Sequence, residues 1–253
     1  MSNRDVLRHA DADALAEAAA GRLVAAVVEA QEQRGQAHVV LTGGGIGTAV
    51  LVALAASPAV SAIDWHRIHL WWGDERYLPT GDPERNDTAA HVALIDQVAI
   101  PRDRVHSIPG PDTSDSPQAA ALAYGESLLR IGEGALPEFD VVLLGIGPDA
   151  HVASLFPEHP ATHAVGNVVA VHNSPKPPPT RVSLTFAALN NARQALILAS
   201  GPSKAEAVRL ALEEHAGPLQ VPASGIHAAQ QTLFLIDEEA ARELPADFGR
   251  PGA

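Results

Sequence analysis

Residues 139–151 read FDVVLLGIGPDAH, a largely apolar run that passes directly into two spaced glycines and then into a histidine. A near-continuous apolar run is typical of a buried parallel strand, because helices cover both of its faces. Two other apolar runs end in the same manner: residues 38–41 lead into 42–47, and residues 68–72 lead into 73–76. Ligands of open parallel sheets bind just beyond the carboxyl ends of the strands. We therefore expect these three loops to meet at one edge of a sheet.

Helical patterns alternate with the strands along the chain. Leu15, Ala19, Leu23 and Val27 recur every four residues and predict a first helix, which Gly35 ends. Shorter helices are expected at residues 48–56, 88–97 and 204–213, and further strands at residues 168–171, 194–199 and 232–236. Strands that alternate with helices indicate an α/β fold in which a mostly parallel sheet carries helices on both faces. We expect a single domain spanning residues 1–253.

The composition excludes several classes of protein. The chain of 253 residues contains no cysteine, so disulfides, thiolate nucleophiles and cysteine-ligated zinc are ruled out. Its net charge of −13 has the wrong sign for a nucleic-acid-binding surface, although a local cluster of cations can still bind a small anion. The longest apolar run near the amino terminus, residues 23–28, is too short for a signal peptide or a membrane span. We expect a cytoplasmic protein that binds neither nucleic acid nor a membrane.

The glycine-rich segment 42–47 is a candidate phosphate site. Gly43, Gly44 and Gly45 let the backbone approach a ligand closely, and Thr48 opens the expected helix behind them. The free N–H groups at a helix amino terminus favour an anion. The alternative is a tight turn between a strand and a helix that binds nothing.

His151 is the candidate for proton transfer. Histidine exchanges protons near neutral pH, and the carboxylate of Asp149, two residues earlier, can orient its ring. A structural histidine is the alternative. The same loop formally matches the dinucleotide fingerprint G-x-G-x-x-A, but a proline and a histidine interrupt the expected helix start, and no acidic ribose partner follows the next strand. We expect no cofactor.

Charged residues in three further segments are candidates for binding an anionic substrate. Asp74 and Arg76 follow a strand, where the arginine can stabilise negative charge on a substrate oxygen, although adjacent charges are more commonly solvated surface. Lys176 and Arg181 belong to a proline-rich extended segment that either holds them in place at little entropic cost or serves as a rigid linker. Lys204 opens an expected helix, where a lysine is electrostatically unfavourable unless an anion lies nearby.

Two histidine pairs raise the question of a metal site. His66 and His69 lie on an expected strand, where a spacing of three residues puts the side chains on opposite faces. His159 and His163 are interrupted by Pro160. We predict no metal site at either pair.

Four segments together resemble the 6-phosphogluconolactonase family, in the same order and over roughly residues 12–240. They are GIGPDAHVASLFP at 145–157, WGDERYLP at 72–79, SPKPP at 174–178 with Arg181, and GPSK at 201–204. A single match of this kind is weak evidence, whereas four in order are specific.

The resemblance implies a fold and a reaction. The fold is the three-layer α/β/α architecture shared with glucosamine-6-phosphate deaminase and ribose-5-phosphate isomerase. The reaction is hydrolysis of 6-phospho-D-glucono-1,5-lactone in the pentose phosphate pathway. We therefore expect a monomeric hydrolase whose partner is a small phosphorylated sugar lactone.

The resemblance also assigns roles to the candidate residues. His151 is the general base, Arg76 binds or stabilises the lactone end of the substrate, and Asp74 and Asp149 orient groups around it. The glycine-rich segment with Thr48 takes the phosphate, together with two cations of the proline-rich segment, Lys176 and Arg181. Lys204 is a secondary phosphate candidate on electrostatic grounds alone.

Two residues depart from the family pattern. Ala150 stands where the family usually has glycine; if this position needs a positive φ, alanine adds strain of about 1 kcal/mol that can shift the histidine loop or reduce activity. Gly45 stands where many members have serine or threonine, which leaves phosphate contacts to backbone N–H groups and Thr48.

Two other functions are compatible with such a fold. An amino-sugar-phosphate isomerase or deaminase is the enzymatic alternative, but residues 149–157 differ from its histidine loop, and Arg76 stands where that family has tyrosine. A non-catalytic sugar-phosphate-binding module is the other, and the chain has no recognisable DNA-binding segment for it to regulate.

Overall fold

A parallel sheet of seven strands forms the centre of the fold in the computed structural model, which describes residues 4–252. In spatial order the strands are β10 (Arg250–Pro251), β1 (Arg4–His9), β9 (Gln231–Asp237), β8 (Ala192–Ala199), β5 (Phe139–Gly145), β2 (Ala37–Leu41) and β3 (Ile68–Trp72). Strands β2, β3 and β5 are buried almost throughout, as expected where helices cover both faces. The predicted fold class, an α/β fold around a mostly parallel sheet, is confirmed.

Within residues 4–252 the strands are connected by six α-helices. They are α1 (Ala12–Arg34), α2 (Gly44–Ala56), α3 (Asn86–Ala93), α4 (Pro117–Ile131), α5 (Phe186–Leu189) and α6 (Ala205–Leu212). The four apolar residues that recur along α1 are all buried, which confirms the predicted apolar face of this helix. No helix in this part of the chain is long and apolar enough to cross a membrane.

A second sheet of three antiparallel strands begins directly after the carboxyl end of β3. Its strands, in the order β4, β7 and β6, are Asp74–Arg76, Arg181–Leu184 and Val168–Val171. Arg76 pairs with Arg181 across β4 and β7. The strand expected at residues 168–171 is confirmed, but it lies in this antiparallel sheet and not in the parallel one, because a four-residue apolar run does not specify its partner strand.

Several element boundaries also differ from the prediction. Helix α2 begins at Gly44 rather than at Thr48, so the glycine turn is itself the first turn of the helix. Helix α3 ends at Ala93, and Lys204 lies at the N-cap of α6 rather than within it. Strands β1 and β10 were not predicted: β1 mixes charged with apolar residues, and β10 is two residues long.

A stack of buried rings lies near the amino ends of β2 and β3. His38 and His69 are register partners on these strands, and their ring centroids are 4.8 Å apart. His69 Nδ1 lies 2.8 Å from His106 Nε2, and Arg104 Nη1 lies 2.7 Å from His69 Nε2. Because an arginine only donates, His69 accepts at Nε2 and donates from Nδ1 to His106. His66 lies in a 3₁₀ turn before β3, so its predicted place on the strand is wrong.

Candidate active site

An open cavity of about 470 Å³ lies at the carboxyl ends of four adjacent strands, β8, β5, β2 and β3. The loop after each strand contributes to its wall: the glycine turn after β2, Arg76 after β3, His151 after β5, and Lys204 after β8. The predicted convergence of three loops is therefore confirmed, and a fourth loop joins them. Such a volume falls within the range of about 300–1,000 Å³ that is usual for small-molecule sites.

The imidazole of His151 is held in one tautomer. Its Nδ1 lies 2.6 Å from Asp149 Oδ1, and because a carboxylate only accepts, Nδ1 carries the proton. Lys176 Nζ lies 3.0 Å from the same Oδ1, so its 3.2 Å approach to His151 Nδ1 is a contact between two donors that share an acceptor. When the imidazole is neutral, Nε2 therefore keeps the lone pair that a general base requires.

The carboxylate of Asp149 is held in its ionised form. Partial burial would raise the pKa of Asp149, but the hydrogen bonds and charges of His151 and Lys176 outweigh burial and hold this pKa well below its ordinary range. An orienting carboxylate that stays ionised favours a single imidazole tautomer.

The histidine loop needs empty space at Gly147 and a left-handed backbone at Ala150. A Cβ on Gly147 would lie 1.9 Å from His151 Nδ1, far inside contact distance. Ala150 has a φ of 64°, so this position does carry the expected strain of about 1 kcal/mol. The Ala150 N–H donates to the Gly147 carbonyl and its carbonyl accepts from the Ala223 N–H, both at 2.9 Å. These bonds hold the loop, and His151 stays in the cavity wall.

Arg76 presents an unsatisfied donor beside the cavity. Its Nη1 donates to the carbonyl oxygen of Glu84 at 2.6 Å and to Asn86 Oδ1 at 2.8 Å. Its Nε is buried and has no hydrogen-bond partner among the residues that the structure describes. A buried guanidinium N–H without an acceptor is costly. Because this Nε is closed to a water-sized group, Arg76 offers the charge of the whole guanidinium to an anionic oxygen in the cavity.

Asp74 is buried in the cavity wall and connects three elements. Its Oδ2 accepts from the Ser154 hydroxyl at 2.5 Å and lies 3.8 Å from Arg181 Nη1. Asn86 Nδ2 donates to the Asp74 carbonyl oxygen at 2.9 Å. These contacts hold the Asp74 side chain in one orientation.

The two lysines of the chain, Lys176 and Lys204, both line the cavity. Burial, followed by the positive charge of Lys176, lowers the pKa of Lys204, which indicates that the two ammonium groups lie close to one another. Like charges held together in a partly buried site are unfavourable unless an anion accompanies them. This arrangement is suited to a multiply charged anion such as a phosphate.

Arg181 lines the cavity, but most of its N–H donors are hydrogen-bonded to backbone carbonyl groups of the chain. Its Nε and Nη2 donate to the carbonyl oxygens of Lys176, Pro177 and Pro178 at 3.1–3.2 Å. Its guanidinium carbon lies 5.5 Å from the ring centre of Phe156. The side chain thus folds the proline-rich segment that carries Lys176 into the cavity wall.

The glycine turn lies where the sequence predicts it, but Thr48 does not. Gly43, Gly44 and Gly45 all line the cavity, and the N–H groups in the first turn of α2 have no acceptor within the helix. Thr48 instead lines a separate groove that also contains Thr88. Because α2 begins four residues earlier than predicted, Thr48 belongs to the second turn of the helix and lies outside the cavity.

Three polar residues of the site were missed from the sequence. Asn86 and Ser200 line the cavity, and Ser154 holds Asp74. Ser200 donates to Asp237 Oδ2 at 2.6 Å, at the end of β9. Ser154 lies within the family segment 145–157, Ser200 directly precedes the GPSK segment, and Asn86 belongs to the polar segment that follows Arg76, so each could have been considered with its neighbours. Within residues 4–252 there is no group of three or more side chains suited to hold a metal ion.

Comparisons with known proteins identify the family. A family model described as glucosamine-6-phosphate isomerases/6-phosphogluconolactonase matches residues 10–235. A 6-phosphogluconolactonase from Streptomyces coelicolor is 51% identical over 253 residues, covering 97% of this chain and 96% of the relative. A solved 6-phosphogluconolactonase from Trypanosoma brucei is 27% identical with a TM-score of 0.83, covering 97% of this chain and all of the other.

A likeness to a deaminase supports the predicted fold. A solved monomeric glucosamine-6-phosphate deaminase of the NagB superfamily superposes with a TM-score of 0.80 at 22% identity, over 94% of this chain and 99% of the other. At this identity the likeness concerns the fold alone, and it confirms the expected relation to that architecture. The chain belongs to the glucosamine-6-phosphate isomerase/6-phosphogluconolactonase family.

Proposed function

We propose that this chain hydrolyses 6-phospho-D-glucono-1,5-lactone to 6-phospho-D-gluconate, with His151 as the general base. The observation that carries the proposal is the free Nε2 of His151, set in a cavity wall that also holds four cationic side chains. Those side chains are Arg76, Lys176, Arg181 and Lys204. The names of the relatives at up to 51% identity support the same substrate.

The reaction needs one base and a pocket that positions the lactone. Nε2 of His151 removes a proton from water as the water oxygen attacks the lactone carbonyl carbon. The carbonyl oxygen takes up negative charge, which the positively charged guanidinium of Arg76 in the cavity wall is suited to stabilise. When the intermediate collapses, the ring C–O bond breaks and the ring oxygen takes the proton from the imidazolium. The product is the open-chain acid, which releases its remaining carboxyl proton to the solvent and becomes the carboxylate, and the imidazole returns to its starting form.

The phosphate end of the substrate is assigned to the glycine turn and the two lysines. The free N–H groups at the start of α2 and the ammonium groups of Lys176 and Lys204 offer donors to phosphate oxygens. Arg181 holds the segment that carries Lys176, and its charge adds to the same field. Thr48 has no role in this proposal, because it lies outside the cavity.

Asp74 and Asp149 act as orienting carboxylates. Asp149 fixes the tautomer of His151 through the 2.6 Å hydrogen bond to Nδ1. Asp74 holds Ser154 and balances the charge of Arg181. Both carboxylates are occupied by these partners, which leaves Nε2 of His151 as the group suited to accept the proton from water.

A rate measurement with freshly generated lactone tests the proposed function. We expect the purified chain to open the lactone much faster than the buffer blank, with rates corrected for spontaneous hydrolysis. No acceleration would overturn the proposal. Release of ammonia from glucosamine 6-phosphate, measured in parallel, would indicate the deaminase activity instead.

Three further expectations belong to this proposal. The cavity is lined by loops from both sheets, which supports a single domain, and we expect this domain to be a monomer. Light scattering coupled to size-exclusion chromatography tests the oligomeric state. The cytoplasmic location stays a prediction from the sequence.

A further inference from the structure

Asn86 lies at the start of α3, buried to 5% exposure, yet it lines the cavity. Its backbone N–H donates to Glu75 Oε1 at 2.8 Å, which fixes the start of the helix against β4. A buried amide side chain held from the backbone in this way has little freedom to reorient.

The hydrogen-bond partners of the Asn86 side chain fix the orientation of its amide group. Nδ2 donates to the carbonyl oxygen of Asp74 at 2.9 Å, and Oδ1 accepts from Arg76 Nη1 at 2.8 Å. A carbonyl oxygen only accepts and a guanidinium only donates, so the opposite orientation of the amide would lose both bonds. The amide oxygen is therefore committed to the guanidinium of Arg76.

The same amide occupies the space next to Gly43. A Cβ on Gly43 would lie 1.8 Å from Asn86 Oδ1 and 2.3 Å from its Cγ. The φ of Gly43 is −90°, which any residue can adopt, so glycine is needed here for space and not for backbone conformation. Asn86 thus touches the glycine turn after β2 and the arginine after β3 at once.

We infer that Asn86 is a positioning residue that holds the guanidinium of Arg76 in register with the glycine turn. The inference rests on the proposed function, in which Arg76 stabilises the charge that develops on the lactone oxygen and the glycine turn binds the phosphate. Asn86 sets the relative placement of these two groups and acts on the reaction through Arg76. Its loss therefore lowers the rate of the chemical step rather than the affinity for the substrate.

A double-mutant cycle between Asn86 and Arg76 tests the inference. Asn86→Ala is expected to lower kcat by about 10–100-fold, as a displacement near 1 Å does, while KM changes by less than about 3-fold. In an Arg76→Ala background the same change is expected to lower kcat by less than about 2-fold, because the group it positions is absent. Asn191→Ala is the matched control, since it removes an amide that donates to the Pro137 carbonyl oxygen at 3.0 Å, far from the cavity.

Three results would overturn the inference. They are an unchanged kcat in folded Asn86→Ala, a rise in KM alone, and a full multiplicative loss of kcat in the double variant. A wild-type chain that fails to open the lactone would overturn the proposed function as well, whereas normal wild-type turnover with uncoupled variants would overturn only the role of Asn86.

A second test serves when the kcat values of the single variants are hard to compare. It asks whether Asn86→Ala suppresses the loss of activity caused by Gly43→Ala. Gly43→Ala is expected to lose most activity, because its new methyl group collides with the Asn86 amide. Adding Asn86→Ala removes that amide, so Gly43→Ala/Asn86→Ala is expected to be at least as active as Gly43→Ala. A double variant that is clearly less active than Gly43→Ala would contradict the inferred contact.

Discussion

At the scale of single residues, Asp149 determines which nitrogen of His151 is available to water. The ionised carboxylate accepts from Nδ1 at 2.6 Å, and Lys176 shares the same oxygen at 3.0 Å. The pKa of Asp149 lies well below its ordinary range because these two partners outweigh the effect of burial. Asp149 therefore stays ionised at any pH at which the enzyme is expected to work.

Replacing Asp149 by asparagine tests this role. Asp149→Asn is expected to lower kcat by at least about 10-fold, because an amide can present either a donor or an acceptor to Nδ1 and no longer selects one tautomer.

The pH profile of kcat/KM for both forms is the measurement. Asp115→Asn, which makes the same charge change at an exposed position, is the control. A kcat of Asp149→Asn equal to that of the wild type across this profile would contradict the assigned role of Asp149.

At the scale of elements, the site is built where strands of the parallel sheet end. Apolar runs that enter glycine-rich loops were sufficient to predict β2, β3 and β5 and the meeting of their loops. The second sheet could not be predicted, because the pairing of Arg76 with Arg181 joins segments about a hundred residues apart and depends on tertiary contacts. Thr48 is misplaced because the start of α2 is predicted four residues too late. Runs of glycine are typical of loops, whereas here they form the first turn of this helix.

The loop after β5 gives an element-scale prediction. Gly147→Ala is expected to lower kcat by about 100-fold, because a Cβ at this position would lie 1.9 Å from His151 Nδ1 and must displace the ring. Steady-state kinetics with the lactone checks this loss. Gly21→Ala, in α1, where a Cβ meets nothing within 4 Å, is the matched control and should retain wild-type kcat. Retention of full activity by Gly147→Ala would show that the loop tolerates a displaced ring.

At the scale of the whole molecule, the sheet separates two groups of histidines with different roles. His151 lies at the carboxyl ends of the strands, and the stack of His38, His69 and His106 lies near the amino ends of β2 and β3. Burial first, and then neighbouring charges that include His38 and Arg104, lower the pKa of His69 to about 3 and that of His106 to about 4. The stack therefore holds neutral rings and has no part in the proposed reaction.

The stack predicts a loss of stability in acid. Folded-state pKa values below the unfolded value of about 6.5 mean that the unfolded chain binds protons first as the pH falls. The contribution of these histidines to stability is complete above about pH 6.5 and is lost as the pH falls toward the folded value of about 4 for His106. The expected slope is about 1.4 kcal/mol per pH unit for each histidine.

Urea unfolding at several pH values from about 7.5 to about 5 measures this slope, because the unfolded chain takes up protons on its histidines in roughly this range. His106→Gln should reduce the dependence of the unfolding free energy on pH by about 1 kcal/mol per unit below about pH 6.5. The same replacement at the exposed His163 is the control. An unchanged slope in His106→Gln would contradict the assignment of acid sensitivity to the stack.

The charge of the whole chain also shows what composition could and could not predict. A net charge of −13 gives no sign of an anion site, and the proposed site rests on the finding that both lysines of the chain and two of its arginines line one cavity. The proline-rich segment and the strand ends that carry these cations were recognised from the sequence. Their proximity follows from the order of β8, β5, β2 and β3 in the sheet, which no local pattern encodes.

The kinetics of His151→Gln compared with its affinity for 6-phosphogluconate test the central claim most directly. We predict that kcat falls by about 100-fold or more, while the dissociation constant of the product, measured by calorimetry, changes by less than about 3-fold. That result would show that His151 contributes to proton transfer and that other residues of the cavity wall bind the anion. A kcat within about 2-fold of the wild type would contradict the account, because a general base contributes at least about 100-fold to such a reaction.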